Sequence, residues 1–195
     1  LDAETGAKSW TRDILADASV RTSTWGVAAS PLVYKGRVYV VPGGENASVI
    51  SYDAATGDLL WKSGSRKPAY ASPLVTTLLG TPHLLVFDGD GLSAYAPEDG
   101  TPLWHFPWET DHHINAGQPI VIDDERVLIS SGYGRGCSLL KIKRSSGDYV
   151  AEQVWSNKNL KLKFSSGVLF GGSIYGLDDN ILTCLDVETG ERRWK

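Results

Sequence analysis

Methionine is absent from the 195 residues, cysteine occurs twice and phenylalanine four times. Two cysteines make no disulfide framework, and neither Cys137 nor Cys184 stands in a metal or haem spacing, so both are expected as buried free thiols on third strands of different repeat units. No apolar run reaches the length that crosses a bilayer as a helix, so no transmembrane segment is expected. Positive charge is not in excess either. A net charge of −4 leaves the chain as a whole without the electrostatic footprint of a nucleic-acid binder. With no methionine at position 1, and with its ends falling beside two copies of one motif, the chain reads as excised from something longer.

A catalytic constellation is also missing. Asp111-His112-His113 is the single histidine cluster. Adjacent histidines on an extended segment point apart, so a solvated loop is expected there, with His83 and His105 isolated. Gly132-Tyr133-Gly134-Arg135-Gly136 lies between two strands and lacks the helix that would hold a phosphate, so it reads as a hairpin turn. Asp88-Gly89-Asp90-Gly91 has only a fragment of a calcium loop's ligands and takes the same hairpin position in another unit. Asn46-Ala47-Ser48 fits the glycosylation triplet, too short a signal by itself. No catalytic residue and no metal ligand is assigned.

What is present is a repeated corner. Tyr52-Asp53-Ala54-Ala55-Thr56-Gly57-Asp58-Leu59-Leu60-Trp61 reads as a strand end, a tight turn and the next strand. The Asp and Thr side chains accept hydrogen bonds from the turn's amides, and the glycine takes the positive φ. Nearly intact copies run from Asp2, Thr5 and Gly6 to Trp10, and from Asp186, Thr189 and Gly190 to Trp194. The copy at Gly100 and Trp104 loses the Asp, and Arg144-Ser145-Ser146-Gly147 reaches Trp155 only after extra residues. These tryptophans are spaced 39 to 51 residues apart, a period that signals propeller blades.

The strands agree with that period. Val38-Tyr39-Val40-Val41, Leu84-Leu85-Val86-Phe87 and Val127-Leu128-Ile129 are apolar on both faces, as strands sandwiched between neighbouring layers must be. In the first unit, strands are predicted over 27–34, 37–41, 48–52 and 58–62. The predicted fold is all-β, a propeller of four-stranded antiparallel blades. Residues 1–24 carry the last strand of a preceding blade into a loop, and complete blades occupy 25–66, 67–110, 111–160 and 161–195.

The spacing Asp-x-x-Thr-Gly-x-x-x-Trp resembles the tryptophan-docking motif of the pyrroloquinoline-quinone-like β-propeller repeat family, over almost the whole chain. That resemblance implies a seven- or eight-bladed ring, of which this is about half. The family includes quinoprotein alcohol dehydrogenases and the lipoprotein subunit of the bacterial outer-membrane-protein assembly machine. It implies an exported, periplasmic location and a non-catalytic binding or scaffold module, with no cofactor expected in this segment. The alternative it implies is a fragment of an alcohol dehydrogenase dependent on pyrroloquinoline quinone and calcium. Fold alone does not choose between them.

First-strand starts face the central channel of a propeller, where the preceding loops form a rim. Aligning the units on Pro31, Pro73, Pro119 and Val168 puts Trp25, Lys67, His113 and Leu162 in one tier. Asn115 and Phe164 come two residues further in, with Tyr70 and Ser165 one beyond. This rim is the expected contact surface for protein partners or a small ligand. Residues 135–163 hold seven basic side chains against Asp148 and Glu152, a local +5 whose alternatives are a face for an acidic partner or an anionic surface and, the favoured one, a solvated outer edge. A four-bladed arc is expected to leave apolar faces at both ends and to need further blades or self-association.

Overall fold

A computed structural model describes residues 1–195. The chain is all-β apart from one short helix. Four four-stranded antiparallel sheets follow one another, each a simple up-and-down meander. Blade 1 contains β1 (Leu32–Tyr34), β2 (Arg37–Val40), β3 (Val49–Asp53) and β4 (Leu59–Ser63). Blade 2 contains β5 (Leu74–Leu78), β6 (Thr81–Phe87), β7 (Gly91–Tyr95) and β8 (Pro102–Pro107). Blade 3 has β9 (Ile120–Val121), β10 (Arg126–Ser131), β11 (Gly136–Ser145) and β12 (Asp148–Asn157). Blade 4 has β13 (Val168–Phe170), β14 (Ser173–Asp178), β15 (Ile181–Asp186) and β16 (Arg192–Trp194). The arrangement is a partial β-propeller.

Period-two alternation explains why the second strands are apolar throughout. In β6, Leu84 and Val86 enter a cluster with Tyr39 and Val49 of blade 1, whereas Leu85 and Phe87 enter one with Val127 and Ile129 of blade 3. In β10, Leu128 turns the other way, to Ile174 and Leu185 of blade 4. Each inner strand therefore serves two interfaces.

The corners form as local chemistry dictates. Asp53 Oδ1 accepts from the Ala55 and Thr56 amides, both at 2.9 Å, and Gly57 follows at φ +76°. Asp2 and Asp186 repeat the arrangement. These bonds hold the Asp53 carboxyl below its ordinary pKa, and with Arg193 they take Asp186 down to about 2. Three corner glycines receive an indole from the preceding repeat, while Gly6 meets nothing within 4 Å. Trp10 lies against Gly57, Trp61 against Gly100 and Trp155 against Gly190, so close that an added Cβ would meet ring atoms at 2.5–2.8 Å. Cys137 and Cys184 are free and buried on β11 and β15, and burial pushes the Cys137 thiol up to about 12.

Several boundaries differ from expectation. β1 begins at Leu32 rather than Val27, because residues before it hydrogen-bond to the neighbouring blade instead of to β2. Residues 11–24 form no strand, since a fourth strand needs a third to pair with and residues 1–9 supply none. They hold α1 (Ile14–Ala18), capped by Asp13 and laid over blade 1, where Tyr52 Oη donates to Asp17 at 2.8 Å. The two ends of the arc are therefore unequal. Ala18, Ile14 and Val20 cover part of blade 1, whereas Phe170, Leu182 and Trp194 of blade 4 remain exposed.

Candidate functional site

The lead-in segments of the blades converge, and strand starts fix their register. β1, β5, β9 and β13 open one residue after Pro31, Pro73, Pro119 and Gly167. The fourth unit therefore aligns on Gly167 and not on Val168, a one-residue error that arose because this unit has no proline. Hydrogen bonds between blades confirm the register. Ser72 Oγ accepts from the Ser30 amide at 2.8 Å, and Ser166 Oγ accepts from the Gln118 amide at 3.1 Å. Gln118 Nε2 donates to the Ser72 carbonyl at 3.3 Å, which links the remaining pair of blades.

In the corrected register Phe164 joins the tier of Tyr70, with Ala28 and Ala116. Ser165 falls one position further in, and Lys161 rather than Leu162 stands level with Trp25, Lys67 and His113. Leu162 is buried in the core between blades 3 and 4. The four residues of the Tyr70 tier meet around one recess of about 460 Å³, completed by Trp25, Ile114 and Tyr133. Trp25 stands edge-on to Tyr70 with ring centres 6.0 Å apart. Trp25 is 63% exposed and Phe164 71%. Lys163 Nζ lies 4.8 Å from the centre of the Tyr133 ring and 5.4 Å from that of Phe164.

The other rim residues have different surroundings. Asn115 is wholly buried and its amide is fully used. It donates to the Asp88 and Trp108 carbonyls at 2.7 and 3.2 Å, and accepts from Ser131 Oγ at 2.6 Å. Lys67 Nζ donates to His113 Nε2 at 3.0 Å, so His113 carries its own proton on Nδ1, 3.1 Å from the Gly89 carbonyl. Ser165 is half-buried and faces a separate hollow with Asp179 and Asn180. Sequence reasoning missed Tyr133. An aromatic residue between two glycines at the tip of a hairpin was the available signal.

Asp88-Gly89-Asp90-Gly91 is a hairpin turn. Asp88 Oδ1 accepts from the Asp90 and Gly91 amides, both at 2.9 Å, while Oδ2 accepts from Ser93 Oγ at 2.6 Å. The Ser93 oxygen in turn lies 3.1 Å from His105 Nδ1. Because this hydroxyl gives its proton to the carboxylate, the imidazole cannot act as its base. Burial pushes the Asp88 carboxyl up to about 6. The chain's other buried carboxylate, Asp178, is surrounded by Lys161, Arg192 and Lys195.

Comparison with known proteins follows the fold. The sequence profile described as "Outer membrane protein assembly factor BamB" matches residues 1–195. BamB from Moraxella catarrhalis superposes with a TM-score of 0.72 at 19% identity, over 100% of this chain and 56% of that one. Quinohemoprotein alcohol dehydrogenases also superpose over 87% of this chain and 34% of theirs. The Comamonas testosteroni enzyme does so with a TM-score of 0.55 at 17% identity. The Pseudomonas putida HK5 enzyme does so with a TM-score of 0.57 at 19% identity. This chain thus spans about half the length of the BamB structure and a third of the dehydrogenases. No curated protein sequence matches.

Proposed function

Because the chain belongs to the family described as outer membrane protein assembly factor BamB, we propose that it is a non-catalytic binding and scaffold segment of a propeller in the bacterial cell envelope, exported to the periplasm. Its partners are proteins, which dock at the aromatic recess. The observation that carries this reading is the recess itself. Trp25 and Phe164 hold large rings in solvent at the point where all four lead-in segments meet, and exposed aromatic groups in concave sites are the usual anchors of protein recognition. No helix is long and apolar enough to cross a membrane, which leaves strand-built membrane crossing untouched.

Pyrroloquinoline quinone with calcium does not fit these residues. Calcium requires several oxygen ligands, yet the recess is lined by apolar and aromatic residues with no carboxylate among them. Asp88 and Asp178 commit both carboxylate oxygens to partners within the chain. The test is a titration of the native polypeptide with pyrroloquinoline quinone and calcium, followed by tryptophan fluorescence. We expect no saturable, calcium-dependent quenching. Its appearance would overturn the scaffold reading and make alcohol oxidation the next assay.

A further inference from the structure

We infer that the recess takes an extended acidic peptide segment bearing one large apolar side chain, which enters among Trp25, Tyr70, Tyr133 and Phe164 while a flanking carboxylate meets Lys163. The inference rests on the reading of the recess as a protein-binding site and adds the chemistry of the occupant.

Two observations support it. The first is charge. Of the seven basic residues between 135 and 163, Lys141 pairs with Glu125, Lys143 with Glu152 and Lys161 with Asp178. Arg144 lies on Tyr149 at the outer edge. Lys163 has no carboxylate partner and is held instead over the two rings of the recess wall. Arg135, in the turn that carries Tyr133, also lacks one and stacks on Trp108 at 3.6 Å. Lys158 forms no ion pair either, but of the seven only Lys163 holds its ammonium over rings of the recess wall. A carboxylate brought to an ammonium already withdrawn from bulk water by aromatic faces gains more than one meeting a free lysine.

The second observation is size. A recess of about 460 Å³, bounded by rings and two alanines, has room for a large side chain with its flanking backbone and not for a folded element.

The experiment uses three synthetic peptides against the native chain: acetyl-Asp-Phe-Asp-amide, acetyl-Lys-Phe-Lys-amide and acetyl-Asp-Ser-Asp-amide. Binding is followed by the indole N–H resonance of Trp25 and by tryptophan fluorescence. The first peptide should bind saturably, with the other two weaker by about tenfold, the size of one charge-assisted contact. Lys163→Glu should reverse the charge preference and Phe164→Ser should abolish binding, while circular dichroism shows both variants folded, since both side chains lie on the surface. Equal binding of the Asp-flanked and Lys-flanked phenylalanine peptides would overturn the acidic preference and leave the protein-binding reading standing. Failure of all three to bind the folded protein would overturn the inference, and the quinone titration would still judge the scaffold reading separately.

Discussion

Two kinds of joint hold the arc together. At Gly57, Gly100 and Gly190 an indole from the preceding repeat lies flat on a glycine corner. Between blades 2 and 3 no such contact exists, for Gly147 has nothing within 4 Å of where a side chain would begin. Its corner has moved to the tip of the long β11–β12 hairpin, a two-residue turn with Ser146 at φ 53° and Gly147 at φ 97°. Trp104 is buried all the same, beneath Tyr149 and Ala151 of that hairpin, with His83 edge-on to Tyr149 at 4.7 Å. A blade joint therefore needs apolar area at the right depth more than it needs a fixed motif, because hydrophobic burial is non-directional.

The joints do differ in what is directional. Trp10 donates to the Ala54 carbonyl at 3.0 Å and Trp155 to that of Val187 at 3.1 Å, each three residues before its glycine. At the Gly100 corner the equivalent carbonyl, Pro97, is taken by Tyr39 Oη at 3.0 Å, and Trp61 Nε1 is left buried without a partner. Trp104 Nε1 and His83 Nε2, both at the irregular joint, are unpartnered as well.

The comparison can be tested from its largest consequence downward. If area holds the irregular joint, Trp104→Ala should destabilise the chain by about 3–5 kcal/mol, as other core Trp truncations do. Urea unfolding measures this, and a loss below about 1 kcal/mol would mean that the hairpin holds blade 2 without it.

Acid should act on Asp88 and on His83 in opposite senses. Asp88, in blade 2 beside blade 1, has a folded pKa of about 6 against an ordinary 3.8. Its contribution is full below the unfolded value and is lost as pH rises through about 6, a swing of about 3 kcal/mol. His83, at the irregular joint, is held below its ordinary value by burial and by Arg144. Its contribution is present above pH 6.5 and lost on acidification, and His105 acts in the same sense through burial. Asp88→Asn should therefore steepen the loss of stability between pH 7 and 5, whereas His83→Phe should lessen it. Denaturation midpoints across that range decide the matter, and variants that shift in the same direction would refute the assignment.

Backbone effects come next. Gly100→Ala combines a positive φ with a Cβ at 2.5 Å from the Trp61 ring, and Gly147→Ala has the φ alone. We expect losses of about 2–4 and about 1 kcal/mol, respectively, by thermal unfolding. Smallest of all, Trp155→Phe forfeits an indole hydrogen bond that Trp104→Phe does not. The first should cost about 1 kcal/mol more, and equal costs would show that these N–H groups do not distinguish the joints.

The fold was largely legible because its signals are short-range. Asp53 bonds to amides two and three residues away, so the corner can be read from four letters. The recess was legible only in part. Trp25, Tyr70 and Phe164 were identified, but a proline-based alignment misplaced Phe164 by one residue, and in a strand one residue turns a side chain to the other face. Asn115 looked like a rim contact because an amide's letter is the same whether it meets solvent or three buried partners.

By itself, the sequence determined the repeat, the corners and the two-sided strands, since each depends on neighbours within a few positions. The tertiary structure alone decided which tryptophan met which glycine, which cations lacked a carboxylate and which rings closed on one recess. Those outcomes join residues far apart in the chain, as Trp10 and Ala54 are, and they depend on inter-blade hydrogen bonds whose register no local pattern records.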